Sequence, residues 1–137
     1  MDATFRPGLI SDADAVLALW ARSGAEPSHT DTRHSLAALM GHDAEAVIVA
    51  ESGGVLVGSV IAAWDGWRGS IYRFVVDPSY RRRGLAGQLL QRAETRLSRA
   101  GALRLQAVVV ESEPLATGFW NATGWERQRE RLRFVRG

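Results

Sequence analysis

Apolar positions along the chain follow two rhythms. Over residues 4–9, 46–50, 55–64, 70–76 and 103–110 they alternate with polar ones or run together, which predicts strands. Elsewhere they recur at helical spacing. Val16, Leu17, Leu19 and Trp20 form one stripe, preceded by Ser11-Asp12-Ala13-Asp14, which reads as a capping box with Ser11 as N-cap. A polar stretch with Gly24 and Pro27 predicts a loop over residues 23–31, followed by a second helix over 32–40 that ends near Gly41. The longest stripe is Leu85, Leu89, Leu90, Ala93 and Leu97, with Arg92, Arg96 and Arg99 on the opposite face and Gly101 as its stop. Ser52-Gly53-Gly54 and residues 65–69 read as turns that fold three strands into a meander. The run over 103–110 is nearly all apolar, as in a strand buried on both faces. Pro114 suits the first turn of a short helix ending at Gly124, and Leu132 and Phe134, two apart, predict a last strand within 125–135. The order is β-α-α-β-β-β-α-β-α-β. It predicts one α/β domain over residues 1–137, with a mixed central sheet of six to seven strands and helices on both faces.

Composition narrows the chemistry. The 137 residues are 46% hydrophobic and 23% charged, ordinary for a globular domain, with no apolar run near the roughly 20 residues that cross a bilayer. There is no cysteine, so disulfides, thiolate metal sites and a cysteine nucleophile are excluded. His29, His34 and His42 lack the i, i+4 spacing of a helical metal site, so no metal is expected. A net charge of +2 is too small to argue for a nucleic-acid partner. All 17 basic residues are arginine, so no side chain carries an acylatable amine. Residues 1–7 lack the basic-then-apolar order of a secretory signal, and a cytoplasmic location with no membrane partner is the expectation.

The most informative stretch joins the strand over 70–76 to the long helix. Asp77-Pro78-Ser79-Tyr80 is followed by Arg81, Arg82, Arg83, Gly84, Leu85, Ala86 and Gly87. A small-residue loop opening a helix points backbone N–H groups outward at the positive end of the helix dipole, which suits a phosphate or pyrophosphate. Its arginines carry charge that does not titrate. The plainer readings are a solvated basic turn or a nucleic-acid patch, but neither accounts for the Gly and Ala spacing.

With Phe74-Val75-Val76-Asp77-Pro78 before this loop and Ala116-x-x-Phe119-Trp120-x-x-x-Gly124-Trp125 after the next strand, the chain resembles the GNAT superfamily of acyl-CoA-dependent N-acetyltransferases. The loop fits the family pattern of Gln or Arg, two residues, Gly, one residue, then Gly or Ala. The resemblance spans essentially the whole chain. It implies a GNAT fold whose two central strands splay apart, with acetyl-CoA as cosubstrate. It places the pyrophosphate on Arg81, Arg82, Arg83, Gly84, Leu85, Ala86 and Gly87. The pantetheine arm would lie along Phe74, Val75 and Val76, where a backbone N–H polarises the thioester carbonyl, and Trp120 would lie beside the cofactor. The acceptor is a primary amine, by preference a small molecule, attacked directly without an acyl-enzyme; pairing into a homodimer through the terminal strand is a further expectation.

Three positions depart from the family. Trp120 stands where many members carry a tyrosine that protonates the departing thiolate, and an indole N–H is no acid near neutral pH. Val108 stands where the branch acting on protein N-termini has a glutamate base, and Glu113 replaces an asparagine. Catalytic candidates therefore come from the residues themselves. Glu26 is a candidate base and Tyr72 a candidate acid; Ser70, Tyr72 and Phe74 share one strand face by alternation. Glu26, His29, Trp64, Asp65 and Trp67 are candidate acceptor-side residues, since aromatics beside carboxylates suit an amine cation. Each also has a plain reading, as solvated loop charges for Glu26, Asp65 and His29 and as sheet cover for Trp64 and Trp67. Glu111 is a surface residue or a further candidate. Two rivals stand beside the enzyme: a non-catalytic acyl-CoA sensor on the same fold, and a nucleic-acid module built on the arginine loop.

Overall fold

The computed structural model describes residues 2–110 and 114–137, so Glu111 and Glu113 lie outside the described residues. The chain forms two compact units that divide after Ala107. In the first, the order is β1 (Thr4–Pro7), α1 (Ala13–Arg22), α2 (Arg33–His42), β2 (Val47–Ser52), β3 (Val55–Trp64), β4 (Gly69–Val76), α3 (Leu85–Ala100) and β5 (Leu105–Ala107). These strands form one sheet in the order β1-β2-β3-β4-β5. The first three pairings are antiparallel and β4–β5 is parallel, as a crossover through α3 requires. The β2–β3 hairpin turns on Gly53 and Gly54, both at positive φ (59° and 79°), the conformation in which the turn matches strand twist.

Each face of the sheet is covered. Val16, Leu19 and Trp20 of α1 and Leu36 and Met40 of α2 pack with Val47, Val49, Ile61 and Val75. On the other face α3 buries Leu85, Leu89, Leu90, Ala93 and Leu97, the stripe the spacing predicts. It lies so close that a Cβ on Gly58 would be 2.9 Å from Leu89 Cδ1, and one on Gly69 would be 2.8 Å from Leu97 Cδ1.

Five expectations differ from the structure. Ser11 is not the cap of α1. A short 3-10 turn, Ile10–Asp12, precedes the helix. Asp12 accepts the Leu9 N–H at 2.7 Å and an Arg6 bond at 2.7 Å, charge-assisted contacts that a serine hydroxyl cannot match. Arg96 is not on a solvated face: it donates to Asp43 and to the Glu45 carbonyl. The apolar run over 103–110 yields only the three-residue β5, and Leu103 is fully exposed. The sheet has five strands among the described residues rather than six to seven. In the second unit, α4 (Pro114–Asn121) forms where the proline predicts it, but Leu132 and Phe134 are 82% and 89% exposed and no strand forms there.

Candidate acyl-CoA and acceptor site

The loop after β4 is built from its residues outward. Asp77 Oδ1 accepts the Ser79 N–H at 2.8 Å, and Pro78 opens a 3-10 turn, Pro78–Tyr80, with its fixed φ. Asp77 Oδ2 accepts from Arg22 Nε at 2.8 Å, and Arg22 Nη2 reaches the Leu56 carbonyl at 2.6 Å. The Arg22 bond, then the Ser79 N–H, holds the Asp77 carboxyl below the usual range. Arg81 donates to the Ser23 carbonyl at 3.3 Å. The C-terminal end of α1 thus anchors the start of the loop.

From Arg82 onward the backbone takes left-handed turns. Arg82 takes φ 65° and Gly84, the residue before α3, takes φ 78° without any side-chain cap. Among the described residues, the N–H groups of residues 82–87 have no hydrogen-bond partner. The space where Cβ atoms of Gly84 and Gly87 would stand is open: nothing lies within 4 Å at Gly87, and only the Gln88 amide, at 4.0 Å, at Gly84. Arg83 rests over the Tyr80 ring at 4.9 Å, and these two residues with Leu85 and Gln88 border a cavity of about 220 Å³. Unpartnered N–H groups at the head of a 16-residue helix, preceded in the chain by three arginines, fit a pyrophosphate.

β4 leads into this loop and is irregular in its middle. Tyr72 pairs with Ile61 and Val75 with Ser59, so Arg73 and Phe74 together oppose Val60. Arg73 sits at φ 48°, a left-handed conformation that residues with a Cβ disfavour. This bulge breaks the alternation: the face of Ser70 and Tyr72 continues at Val75, not at Phe74. The β4–β5 pairing ends at Ile71–Ala107, so the ladder on that edge stops short of the bulge.

Arg73 ties the loop over residues 24–31 to β4. Its Nη1 donates to the Glu26 carbonyl at 2.8 Å and its Nη2 to Asp31 Oδ2 at 2.7 Å, while its guanidinium lies 5.3 Å from the Trp20 ring. Ser59 Oγ accepts from Trp20 Nε1 at 2.8 Å and donates to the Arg73 carbonyl at 3.4 Å. Glu26 thereby comes next to β4 at the residue that follows Tyr72, with its carboxylate exposed, and Tyr72 is 49% exposed. His29 lies exposed in the same loop. Sequence reasoning passed over Arg73, Asp31 and Ser59. One signal was available, a single arginine inside an otherwise apolar strand.

The structure does not bring the hairpin residues to this loop. They precede β4, at the end of the strand away from residues 82–87. Asp65 Oδ1 accepts the Arg68 and Trp67 N–H groups at 2.7 and 2.8 Å, which keeps its carboxyl below the usual range. Trp64 stacks near Gly101, and Trp67 is 70% exposed with Arg68 4.1 Å over its ring. In the second unit, Trp120 meets Phe119 and Trp125 edge-on, at 5.7 and 4.8 Å between centroids. Among the described residues no three His, Asp or Glu side chains group as a metal site, and no helix is long and apolar enough to cross a membrane.

A model of the Acetyltransferase (GNAT) family matches residues 13–125. The chain belongs to the GNAT acetyltransferase family. It is 34% identical over 118 residues to "Acetyltransferase YE1169" of Yersinia enterocolitica, covering 86% of this chain and 84% of that one. Its fold is similar to that of the PaiA N-acetyltransferase of Thermoplasma acidophilum, solved in complex with coenzyme A. That match has a TM-score of 0.80 and 15% identity, covering 93% of this chain and 92% of that one. It is also similar to AAC(6')-Iy in complex with the bisubstrate analog CoA-S-monomethyl-acetylneamine, with a TM-score of 0.77 and 20% identity over 100% of this chain and 99% of that one. The loop at the head of α3 has the geometry to take a pyrophosphate.

Proposed function

We propose that this GNAT acetyltransferase moves an acetyl group from acetyl-CoA to the primary amine of a small molecule, which attacks directly without an acyl-enzyme. The observation that carries the reading is the row of N–H groups over residues 82–87 at the end of a strand whose pairing to β5 stops early. When bound, acetyl-CoA supplies an acetyl group activated as a thioester. Residues 82–87 grip the phosphates, with Arg81, Arg82 and Arg83 adding positive potential. The part of β4 beyond Ile71 orients the extended arm, as a strand edge takes up an added strand. Glu26 takes the proton from the acceptor ammonium, and the Tyr72 hydroxyl supplies one to the departing sulfur. His29 lies on the acceptor side with Glu26. Trp64, Asp65 and Trp67 belong to a more distant rim. The small-molecule preference is supported by the likeness to AAC(6')-Iy with its aminoglycoside-derived analog.

Trp120 favours a second reading, an acyl-CoA sensor, because its indole cannot replace a tyrosine acid. Thiol release from acetyl-CoA, followed colorimetrically with a panel of polyamines, aminoglycosides and aryl-alkyl amines, separates the two. The enzyme reading expects amine-dependent release above the no-amine rate. Tight acetyl-CoA binding with no amine-dependent release contradicts it.

A further inference from the structure

Arg73 carries a conformational cost and has an unusual set of partners. It holds a left-handed φ that glycine would adopt freely. Its carbonyl is fixed by Ser59, and its guanidinium is fixed by Asp31, the Glu26 carbonyl and the Trp20 ring. The Arg73–Asp31 pair is largely shielded, with side-chain exposures of 20% and 18%. Asp31 spends its other contacts inside the loop: Oδ2 also accepts the Ser28 N–H at 3.0 Å, and the Asp31 N–H donates to the Ser28 carbonyl at 2.9 Å. The loop over residues 24–31 is also held at Ala25, which packs against the core and whose N–H donates to the Trp20 carbonyl at 3.2 Å. One side chain thus joins this loop to the strand that bears the cofactor, and the same residue is half of the β4 bulge.

We infer that Arg73 is a positioning residue that locks the loop over residues 24–31 to β4, so that acetyl-CoA binding and the ordering of the acceptor side are coupled. The inference rests on the proposed acetyl-CoA and acceptor reading for its functional meaning. Its physical content is that whatever stiffens β4 at the bulge also protects the loop, because the two share Arg73. Arg73 has no part in proton transfer. Its guanidinium is committed to two acceptors, the Glu26 carbonyl and Asp31.

The test is hydrogen–deuterium exchange with and without saturating acetyl-CoA, on the wild type, Arg73→Gly, Arg73→Lys and Asp31→Asn. Glycine accepts the φ of residue 73, so Arg73→Gly deletes the clamp while keeping the bulge unstrained. In the wild type, acetyl-CoA should slow exchange of the loop amides. In Arg73→Gly, loop exchange should rise about tenfold or more and lose its response to acetyl-CoA, with β2 and β3 amides unchanged. Arg73→Lys should recover part of the protection, lacking the two-point fork, and Asp31→Asn should behave as an intermediate. With any amine that supports turnover, Arg73→Gly should raise KM for the amine about tenfold, and Arg73→Lys should recover part of that loss. Unchanged loop exchange in Arg73→Gly would overturn the inference, as would loss of protection spread evenly over the sheet. If no amine supports turnover, the proposed transfer reading fails, while the exchange result still decides whether Arg73 is the lock.

Discussion

At the scale of single residues, Asp77 shows how one carboxylate shapes the approach to the loop. It receives Arg22 and the Ser79 N–H, and both favour its charged form. Its folded pKa is depressed, so the stability it contributes is fully present above the unfolded value of about 4 and is lost as pH falls through the lower folded value. Asp77→Asn should therefore lower Tm near neutral pH and flatten the fall in Tm below about pH 4. A mutant whose acid limb parallels the wild type would contradict this. Arg81 behaves differently. It is exposed and donates to the Ser23 carbonyl at 3.3 Å, so backbone N–H groups rather than its charge should dominate phosphate binding. Arg81→Ala should weaken acetyl-CoA only a few-fold, by a margin that shrinks with added salt; complete loss at every salt concentration would assign the main role to the side chain. Asp77 and Gly84 were legible in the sequence because their residue types dictate a turn and an uncapped helix start. Arg73 and Arg82 were not, since nothing about an arginine signals a positive φ.

At the scale of elements, close packing of α3 against the sheet makes a sharp prediction. A methyl on Gly69 would meet Leu105 Cδ2 at 2.7 Å and Leu97 Cδ1 at 2.8 Å, two side chains pressing from different elements. Gly69→Ala should cost about 1–3 kcal/mol in urea unfolding, as overpacking does; a neutral change would mean the two leucines step aside together. The α2 cap is a milder case. Thr32 accepts the Ser35 N–H at 3.1 Å, and Thr32→Ala should cost about 1 kcal/mol by the same assay. Strand β3 matched its expected bounds, 55–64, because a glycine turn and a polar turn enclose it. The strand expected over 103–110 shrank to three residues and the one expected within 125–135 did not form, for one physical reason. Apolar or alternating residues make a strand only where a neighbour pairs with them, and Leu103, Leu132 and Phe134 remain exposed. The bulge in β4 was equally hidden: pleat alternation predicts a face for Phe74 that one extra residue in the strand takes away.

At the scale of the molecule, the end of α1 is the common anchor. Arg22 and Ser23 hold the start of the loop between β4 and α3, and Trp20 lies beside Arg73 where the loop over residues 24–31 joins β4. The family could be read from residue types and spacing. The placement of the loop over residues 24–31 against β4 could not, because it depends on a long-range tie between Arg73 and Asp31 across 42 positions of chain. The most direct test of the central claim is calorimetric titration of acetyl-CoA into the wild type and Gly84→Glu, with circular dichroism in parallel. Glutamate would meet open space in the free protein, at the cost of a strained φ, but would set a carboxylate against the N–H groups that receive the phosphates. The wild type should give a saturable 1:1 isotherm, and a mutant that keeps its helical spectrum should show no measurable binding. A folded Gly84→Glu that binds acetyl-CoA as the wild type does would contradict it.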